Sequence, residues 1–261
     1  GTGKDLLARY IHRKSGRDGE FVMMNAAAVP VNMIESELFG CKKGAFTGAD
    51  QNKSGLIEMA DGGTFYLNEI ADASPKFQAK LLEVLETREV RHLGENIRRR
   101  VNFRLITATN SDLRERIRSN RFRADLYHRL HGIHITLPPL SERLDDIPVL
   151  LGHFLRNVGN GFNVDDVDCG DIDRLAAILS LHKYPGNVRE FRYRVRELLF
   201  SSGYDIKRMI ELALRVDLLS ARDRLDLALR GTNWNQSRAG WMLGISEGAV
   251  RQRIRRYNLT K

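Results

Sequence analysis

The order of apolar runs and helical stretches over residues 1–137 restricts the fold of this chain more than any other feature. Short runs rich in β-branched and aromatic residues occur at 21–24, 63–67, 103–109 and 133–137. Glycine-rich turns or amphipathic stretches, such as residues 75–88, separate them. Strands that alternate with helices form a parallel sheet covered by helices on both faces. The sequence therefore predicts an α/β core over residues 1–137.

The pattern changes at residue 138, where two consecutive prolines interrupt the chain. No strand signal remains after them, and residues 138–203 are predicted to form a helical domain. Residues 204–231 continue as a helical linker. The last segment, residues 232–261, contains two short helices around a glycine and is predicted to be a separate all-α module.

The net charge of +9 is concentrated at the C-terminal end of the chain. Residues 232–261 hold six basic side chains and one acidic side chain, and the other 231 residues share a charge of only +4. A basic segment is often just a solvated surface. This one is dense and patterned enough to favour a polyanionic partner.

Composition excludes several classes of protein. Apolar residues make up 42% of the chain and charged residues 29%, a balance that intrinsically disordered chains lack. The two cysteines and seven histidines have neither disulfide-framework nor metal-ligand spacing. No run approaches the roughly 18 apolar residues that span a membrane, and the N-terminal residues do not resemble a signal peptide. We therefore expect a cytoplasmic protein with no membrane segment.

Residues 1–4 read GTGK and precede a helix with apolar periodicity. They match the second half of a phosphate-binding loop, G-x-x-x-x-G-K-[ST], in which backbone N–H groups hold phosphate and the lysine reaches the β and γ oxygens. The first glycine of that motif would lie three residues before Gly1, so we expect the chain to begin inside the loop, without its preceding strand. Asp5 stands where a serine or threonine usually contacts Mg²⁺. The candidate nucleotide contacts here are Gly1, Thr2, Gly3, Lys4 and Asp5.

A second nucleotide-site signal lies at residues 62–70, GGTFYLNEI. An apolar strand followed by two acidic residues places one carboxylate on Mg²⁺ and the next beside the attacking water. Here the pair is Asn68 and Glu69. Glu69 is the candidate catalytic residue, while neutral Asn68, together with Asp5, is an indirect Mg²⁺ contact. Read alone, the run is equally a buried strand that ends in a polar turn, but its distance from residues 1–4 favours a nucleotide site.

Residues 44–49, GAFTGA, contain two glycine–alanine pairs that would form a flexible loop tip and lift Phe46 and Thr47 off the protein body. An exposed aromatic residue on such a loop is more often a partner contact than a packing residue. A plain surface turn is an equal alternative when the segment is read by itself.

Together these motifs resemble the sigma-54-dependent transcriptional activators (bacterial enhancer-binding proteins), a branch of the AAA+ ATPases, and GAFTGA is the most specific of them. The resemblance covers nearly the whole chain and is weakest at residues 201–231. It implies an α/β AAA+ core that is truncated at its N-terminal end, a helical lid at 138–203, and ATP with Mg²⁺ as cofactors.

The resemblance also implies phosphate-sensing residues outside the two motifs. Asn25 is similar to the switch asparagine that senses the γ-phosphate and holds Glu69 when water is not positioned. Thr109 and Asn110 resemble sensor I. Arg189, in the segment PGNVRE, resembles sensor II, which reaches the γ-phosphate from the lid.

Two arginines in the segment FRADLYHRL, Arg123 and Arg129, resemble arginine fingers that reach the nucleotide of a neighbouring subunit. A finger supplied in this way contributes roughly 10³–10⁵ in rate. The resemblance therefore implies that hydrolysis depends on assembly into a homo-oligomer, a hexameric ring. A solvated helix face is the alternative for both side chains.

Residues 232–261 have the apolar spacing of two helices packed across a turn. This is helix–turn–helix geometry, in which the second helix enters the major groove, and it resembles the Fis-type domain that ends these activators. Arg251, Gln252 and Arg255 are candidate base or phosphate contacts, and Ser246 is a candidate helix cap near the DNA backbone. A basic amphipathic hairpin with no nucleic-acid role is the alternative.

As a whole, the resemblance implies an ATP-dependent transcriptional activator. It would bind double-stranded enhancer DNA and move Phe46 and Thr47 against the sigma-54 RNA polymerase holoenzyme, so that the closed promoter complex opens. Asn68 removes a full charge from the Mg²⁺ site, so we expect slow hydrolysis or weak nucleotide affinity. The alternative is a DNA-binding regulator whose ATPase is impaired or vestigial. The other predicted catalytic positions are all present, which argues against it.

Overall fold

The computed structural model describes residues 1–30, 32–46, 49–157, 167–216 and 221–259. The chain divides into two compact units. The sheet unit is Gly3–Thr136, and the helical unit consists of Gly1–Thr2 together with Leu137–Lys261.

A three-stranded parallel sheet forms the centre of the sheet unit. Its strands are β1 (Phe21–Asn25), β4 (Thr64–Asn68) and β7 (Arg104–Thr107). Their order is β1-β4-β7, so β4 lies in the middle. The register places Asn25 directly beside Asn68 at the strand ends. A parallel sheet with flanking helices confirms the predicted α/β class.

Six α-helices and two short antiparallel ladders complete this unit within the described residues. The helices are α1 (Lys4–Lys14), α2 (Ile34–Phe39), α3 (Leu56–Met59), α4 (Pro75–Thr87), α5 (Leu113–Arg118) and α6 (Ala124–Leu130), with a 3-10 turn at Ile70–Asp72. The ladders join β2 (Gly40–Cys41) to β3 (Lys53–Ser54) and β5 (Glu89–Val90) to β6 (Arg99–Arg100). The predicted helix at 75–88 is confirmed as α4, which begins after the Ser74 cap and ends at Thr87, with Arg88 as its C-terminal cap.

The side chains of β4 are buried on both faces, as expected for the central strand of a covered parallel sheet. Phe65 and Leu67 pack in one core with Phe77 and Leu81 of α4 and Leu126 of α6. Each Å² of apolar surface removed from water contributes roughly 25 cal/mol. This core holds the helices on the sheet and thereby fixes where the strands end.

The predicted strand at 133–137 is wrong. No ladder pairs these residues with a described strand, and the side chains of Ile133 and Ile135 are 94% and 54% exposed. An extended segment becomes a strand only when its N–H and C=O groups pair with a neighbour. Among the described strands, β7 pairs with β4 alone. An apolar β-branched run is therefore not sufficient to make a strand.

Within the described residues, four helices form a bundle in the helical unit. They are α7 (Ile147–Arg156), α8 (Cys169–Leu179), α9 (Asn187–Ser202) and α10 (Ile206–Val216), preceded by 3-10 turns at Leu140–Glu142 and Leu144–Asp146. Leu151, Leu175 and Phe191 are buried in one core with Met209 and Ile210 of α10. The bundle core thus continues past residue 203, where the sequence placed its end, because the apolar face of α10 packs on α8 and α9.

In the described part of residues 221–259, three more helices make up a C-terminal module: α11 (Ala221–Gly231), α12 (Gln236–Leu243) and α13 (Glu247–Tyr257). Ala239 and Met242 of α12 pack with Val250 of α13 and Leu225 of α11. This confirms the predicted packing of two short helices across a turn. Gly244 makes the turn, and its φ of 68° lies in the left-handed region that favours glycine.

The C-terminal module also contacts the bundle inside the helical unit. Ala177 of α8 and Leu181, just after that helix, pack against the core of the module. The guanidinium of Arg174 lies so close to Gly244 that a Cβ atom there would be 2.1 Å from Nη2. None of the helices in the described ranges is long and apolar enough to cross a membrane.

Candidate functional site

The ends of β1 and β4 and the residues after β7 meet at one edge of the sheet, because parallel strands finish on the same side. Asn25 ends β1, and Asn68 ends β4 as its direct partner. Thr109 and Asn110 follow closely after β7. In open parallel sheets, ligands bind outside this carboxyl edge. The fold therefore gathers four of the predicted site residues where a ligand is expected.

Lys4 and Glu69, 65 positions apart, form the central contact of this edge. Nζ of Lys4 lies 3.3 Å from Oε1 of Glu69, and the two side chains are mostly buried. The backbone N–H of Asn110 donates to Oε2 of Glu69 across 3.4 Å. Glu69 has a left-handed φ of 52°, which costs a non-glycine residue of order 1–3 kcal/mol. The fold thus holds this carboxylate, at some cost in strain, between a cation and a backbone donor.

The N-terminal end of α1 is arranged to accept an anion. Gly3 precedes the helix with a φ of 104°, and no described side chain caps the end. The first N–H groups of a helix have no partner within it, and the helix dipole places partial positive charge there. Lys4 is the first residue of α1, so its ammonium lies at the same end of the helix as these donors.

The other predicted phosphate contacts, Gly1, Thr2 and Arg189, belong to the helical unit. Within that unit, the carbonyl of Gly1 accepts the N–H of Val188 at 3.1 Å. The carbonyl of Thr2 accepts a hydrogen bond from the Arg143 guanidinium at 2.6 Å. A Cβ atom on Gly1 would lie 3.5 Å from the Cβ of Arg189. Gly1 and Arg189 are therefore close neighbours.

Asp5 is bound by a residue that sequence reasoning missed. The hydroxyl of Tyr66 donates to Oδ1 of Asp5 across 2.7 Å. Burial, and then the hydrogen bond to Asp5, raise the pKa of Tyr66 well above its usual range, so the hydroxyl keeps its proton. The two residues are 61 positions apart, and no spacing rule connects them. The contact exists because α1 lies along β4.

Asp5 and Asn68 carry oxygen atoms, the ligand type that Mg²⁺ prefers, and their contact with a nucleotide-bound Mg²⁺ stays a prediction. Each residue already accepts a hydrogen bond, Asp5 from Tyr66 and Asn68 from the N–H of Glu69 at 3.0 Å. Among the residues that the structure describes, no three His, Cys, Asp or Glu side chains group as a metal site. This donor set fits an ion that takes most of its ligands from phosphate and water, which is how Mg²⁺ is usually held.

Two predicted phosphate sensors make local contacts. Oδ1 of Asn25 accepts the N–H of Ala27 at 3.0 Å, and Oγ1 of Thr109 accepts the N–H of Ser111 at 3.1 Å. In the described part of the chain, Glu69 is held by Lys4 and makes no hydrogen bond to Asn25. The sensing roles of Asn25 and Thr109 stay predictions.

Both predicted arginine fingers are engaged within their own chain. Arg123 donates to Asp125 through Nε at 3.0 Å and through Nη2 at 2.7 Å, and both side chains are 48% exposed. The hydrogen bonds from Arg123 lower the pKa of Asp125 to about 2. Arg129 donates to the carbonyl of Leu85 at 2.9 Å. Action on a neighbouring subunit stays a prediction. Asp125 is a site residue that sequence reasoning missed.

The GAFTGA loop lies between β2 and β3, which pair with each other at its base. Phe46 is 47% exposed, as predicted. The N–H of Gly44 donates to the carbonyl of Ala49 across 2.8 Å, which closes the loop behind Phe46. Thr47 lies outside the described residues.

A buried carboxylate, Glu95, anchors the start of this loop. Its side chain is 4% exposed and lies 2.6 Å from Nζ of Lys42 and 2.6 Å from Nη1 of Arg99. Hydrogen bonds from Arg99 and then Lys42 lower the pKa of Glu95 to about 2. Because Lys42 directly follows β2, the ion pair ties the first residue of the loop to the segment between β5 and β6. Sequence reasoning missed Glu95, since its cationic partner on the loop is far away in the chain.

The predicted DNA-contacting residues lie on α13 of the C-terminal module. Ser246 caps this helix as predicted, with its Oγ accepting the N–H of Ala249 at 3.2 Å. Arg251, Gln252 and Arg255 are all exposed. The cap and the exposure agree with the sequence prediction, and contact with DNA stays a prediction.

Comparison with known protein families matches two models to this chain. Residues 1–136 match the family described as Sigma-54 interaction domain. Residues 141–217 match the family described as AAA+ ATPase lid domain. The second match ends one residue after α10, in agreement with the extent of the bundle core.

Several regulatory proteins are similar to this chain over almost all of its length. It is 40% identical to the Nif-specific regulatory protein of Azotobacter vinelandii, over 99% of this chain and 53% of that protein. It is 39% identical to the hydrogenase transcriptional regulatory protein HoxA of Cupriavidus necator, over 99% and 59%. It is 37% identical to the transcriptional regulatory protein ZraR of Escherichia coli O157:H7, over 98% and 61%. The chain thus spans between half and two thirds of the length of these relatives.

A solved structure of NtrX from Brucella abortus, in complex with ATP, has a similar fold. It aligns with a TM-score of 0.71 and 29% sequence identity, over 99% of this chain and 62% of that one.

Proposed function

This chain belongs to the sigma-54 interaction domain family, with an AAA+ core and a helical lid, and we propose that it hydrolyses ATP to remodel the sigma-54 RNA polymerase holoenzyme while bound to double-stranded enhancer DNA. The names of its relatives, which are regulators of transcription, support an activator role. The observation that carries the proposal is the contact of Lys4 with Glu69 beside the N-terminal end of α1.

In the proposed reaction, the free N–H groups of α1 and the ammonium of Lys4 hold the β and γ phosphates. Phosphate draws Lys4 away from Glu69, and the freed carboxylate accepts a proton from the attacking water. The N–H of Asn110 keeps that carboxylate in place. Mg²⁺, when bound, neutralises charge on the phosphate oxygens, and Asp5 and Asn68 would hold it from the protein side.

We assign Arg123 and Arg129 to the nucleotide of a neighbouring subunit in a homo-oligomer, a hexamer. Arg123 is able to exchange Asp125 for phosphate, because an exposed ion pair contributes only about 0–1 kcal/mol. A finger that reaches the transition state contributes far more, roughly 10³–10⁵ in rate. Asn25 and Arg189 complete the proposed set as phosphate sensors.

The GAFTGA loop is the proposed contact with sigma-54. Phe46 supplies an exposed aromatic anchor, and Thr47, the next residue in the sequence, supplies a hydroxyl group. The C-terminal module is the proposed helix–turn–helix, with Arg251, Gln252 and Arg255 facing DNA. Its basic charge supports this assignment, since phosphate contacts supply much of the affinity for DNA.

The second candidate function is a DNA-binding regulator with an impaired ATPase. Asn68 favours it, because the amide brings no negative charge to Mg²⁺ and its oxygen already accepts the N–H of Glu69. The intact contact between Lys4 and Glu69 favours the ATPase.

The test is ATP turnover, measured against protein concentration in a chain that carries the whole phosphate loop. Turnover that rises with concentration supports an assembled ATPase, while zero turnover at every concentration refutes it in favour of the second candidate. Asn68→Asp is the matched variant. If Asn68 limits the reaction, turnover rises about tenfold or more, as expected from restoring a charge at the metal; an unchanged rate removes that explanation.

Coupling to the polymerase is tested separately with Thr47→Ala. We expect this variant to keep its ATP turnover and to lose promoter opening in a reconstituted sigma-54 transcription assay. Promoter opening at the normal rate would refute the proposed role of the loop.

A further inference from the structure

Arg251 is held in place by a network of polar side chains at one end of the C-terminal module. Its Nε donates to Oε1 of Gln236 across 3.1 Å, and its Nη2 donates to Oε1 of Glu247. The other carboxylate oxygen of Glu247 accepts from the hydroxyl of Ser237. Gln236 and Ser237 open α12, whereas Glu247 and Arg251 lie in the first two turns of α13. The network therefore joins the N-terminal ends of the two helices.

This end is where a helix–turn–helix meets DNA, because the N-terminal residues of the second helix contact base edges. Arg251 is nevertheless 64% exposed. A guanidinium has five N–H donors, and in the described part of the chain only two of them on Arg251 are used. The free donors include both on Nη1 and one on Nη2, which form the fork that matches O6 and N7 of guanine.

We propose that Glu247 and Gln236 position Arg251 to read a guanine in the major groove, so that Glu247 sets the base preference of the module. This inference rests on the proposed DNA binding. The two hydrogen bonds restrict the long side chain of Arg251 before DNA binds. Without them, Arg251 would lose its rotamer freedom on binding, at a cost in affinity. Arg255, one turn further along α13, has no such restraint among the described residues and suits a phosphate contact.

The negative charge of Glu247 allows a positioning role to be distinguished from a purely structural one. Phosphates repel a carboxylate, so Glu247 weakens binding to any duplex while it favours the duplex that has guanine in the right place. A residue that merely stabilised the fold would strengthen binding to both. An exposed ion pair contributes little to folding, so Glu247→Ala is expected to leave the module folded.

The experiment selects sequences from a randomised DNA duplex library with the full chain and then measures the affinity for selected and random duplexes. The wild type is expected to prefer G·C at one position of the selected sequences by about tenfold or more. Glu247→Ala reduces that preference to within twofold, while its affinity for random duplex stays equal or rises. Arg251→Lys keeps the charge but lacks the fork, and loses the preference too.

Two controls separate the proposed role from charge alone. Glu211→Ala removes the same charge from an exposed position on α10, and the base preference stays unchanged. Arg255→Ala weakens binding to all duplexes alike and lowers the slope of log affinity against log salt by about one.

Three results would overturn the inference. If Glu247→Ala keeps the base preference, or weakens binding to all duplexes equally, Glu247 has no positioning role although the module binds DNA. If the wild type binds duplex but selects no base, the base-reading role of Arg251 is refuted, while the proposed DNA binding stands. If the wild type binds no duplex even at low salt, the inference and the proposed DNA binding fail together.

Discussion

The candidate nucleotide site and the candidate DNA-contacting surface are built in opposite ways. Glu69 meets Lys4 across 65 positions and Asn110 across 41, so the nucleotide site draws on three separate elements. Arg251 and Gln236, on the DNA-contacting surface, are 15 positions apart on two successive helices. The first arrangement exists only once the sheet has formed. The second needs little more than two capped helices and a turn.

This difference predicts which substitutions should disturb each site. A change in the central strand should disturb the nucleotide site and spare the C-terminal module, and a change at the turn of the module should do the reverse. Both tryptophans of the chain, Trp234 and Trp241, lie in the module. Tryptophan fluorescence therefore follows the module, whereas far-UV circular dichroism follows the whole chain.

The largest effect is expected at the candidate nucleotide site, whose residues come from distant parts of the chain. Glu69→Gln, in a chain that carries the whole phosphate loop, should reduce ATP turnover by about 10²–10⁴, the contribution of a general base. Duplex binding by the module should not change. Glu115→Gln, on the exposed face of α5, is the control. A turnover for Glu69→Gln within threefold of the wild type would contradict the assignment of Glu69.

The next largest effect is expected from a cavity made in the central strand, β4. Leu67 is fully buried in β4, and Leu67→Ala should lower the free energy of unfolding of the sheet unit by about 2–5 kcal/mol. Urea denaturation should show an earlier transition by circular dichroism and an unchanged transition by tryptophan fluorescence. If both transitions move together, the sheet unit and the C-terminal module do not unfold independently.

At the turn of the module we expect a smaller change in stability, and one that affects the C-terminal module and not the sheet unit. Gly244 has a φ of 68° and Arg174 beside it, so Gly244→Ala should destabilise the module by about 1–2 kcal/mol. Gly248→Ala, inside α13, adds a Cβ atom at ordinary contact distance (3.9 Å) from Oγ of Ser246 and should instead stabilise the module by about 0.5–1 kcal/mol. Tryptophan fluorescence during urea denaturation measures both. Equal shifts of the same sign would show that backbone conformation at Gly244 does not matter.

A pH-dependent effect is expected as well, and it should appear in the sheet unit alone. The pKa of Glu95 is lowered to about 2 in the folded chain, from an ordinary value of 4.5. Stability from this group is therefore complete above about pH 4.5 and is lost as the pH falls towards 2. Glu95→Gln should lower the urea midpoint by circular dichroism at pH 7, and the difference from wild type should shrink at pH 3. A difference that stays constant with pH would exclude the ionised form as the source.

Much of the fold could be predicted from local patterns. The alternation of apolar runs predicts β1, β4 and β7, and Ser246 is found as the predicted cap of α13. The exception is the segment 133–137, whose apolar composition suits a strand but whose backbone groups pair with no described strand. Amino-acid composition reflects the conformational preference of each residue, whereas a strand also requires a neighbouring strand with which its backbone groups can pair.

The sequence by itself determined which residues could hold phosphate, anchor a partner or face DNA, because those signals depend on residue type and short spacing. Only the tertiary structure decided what these residues touch. It paired Lys4 with Glu69, Asp5 with Tyr66, and Lys42 with the buried Glu95. Helix caps and strand periodicity act over a few residues through the backbone. Contacts between distant side chains depend on how a helix lies on a sheet, and packing of the core sets that only after the chain has folded.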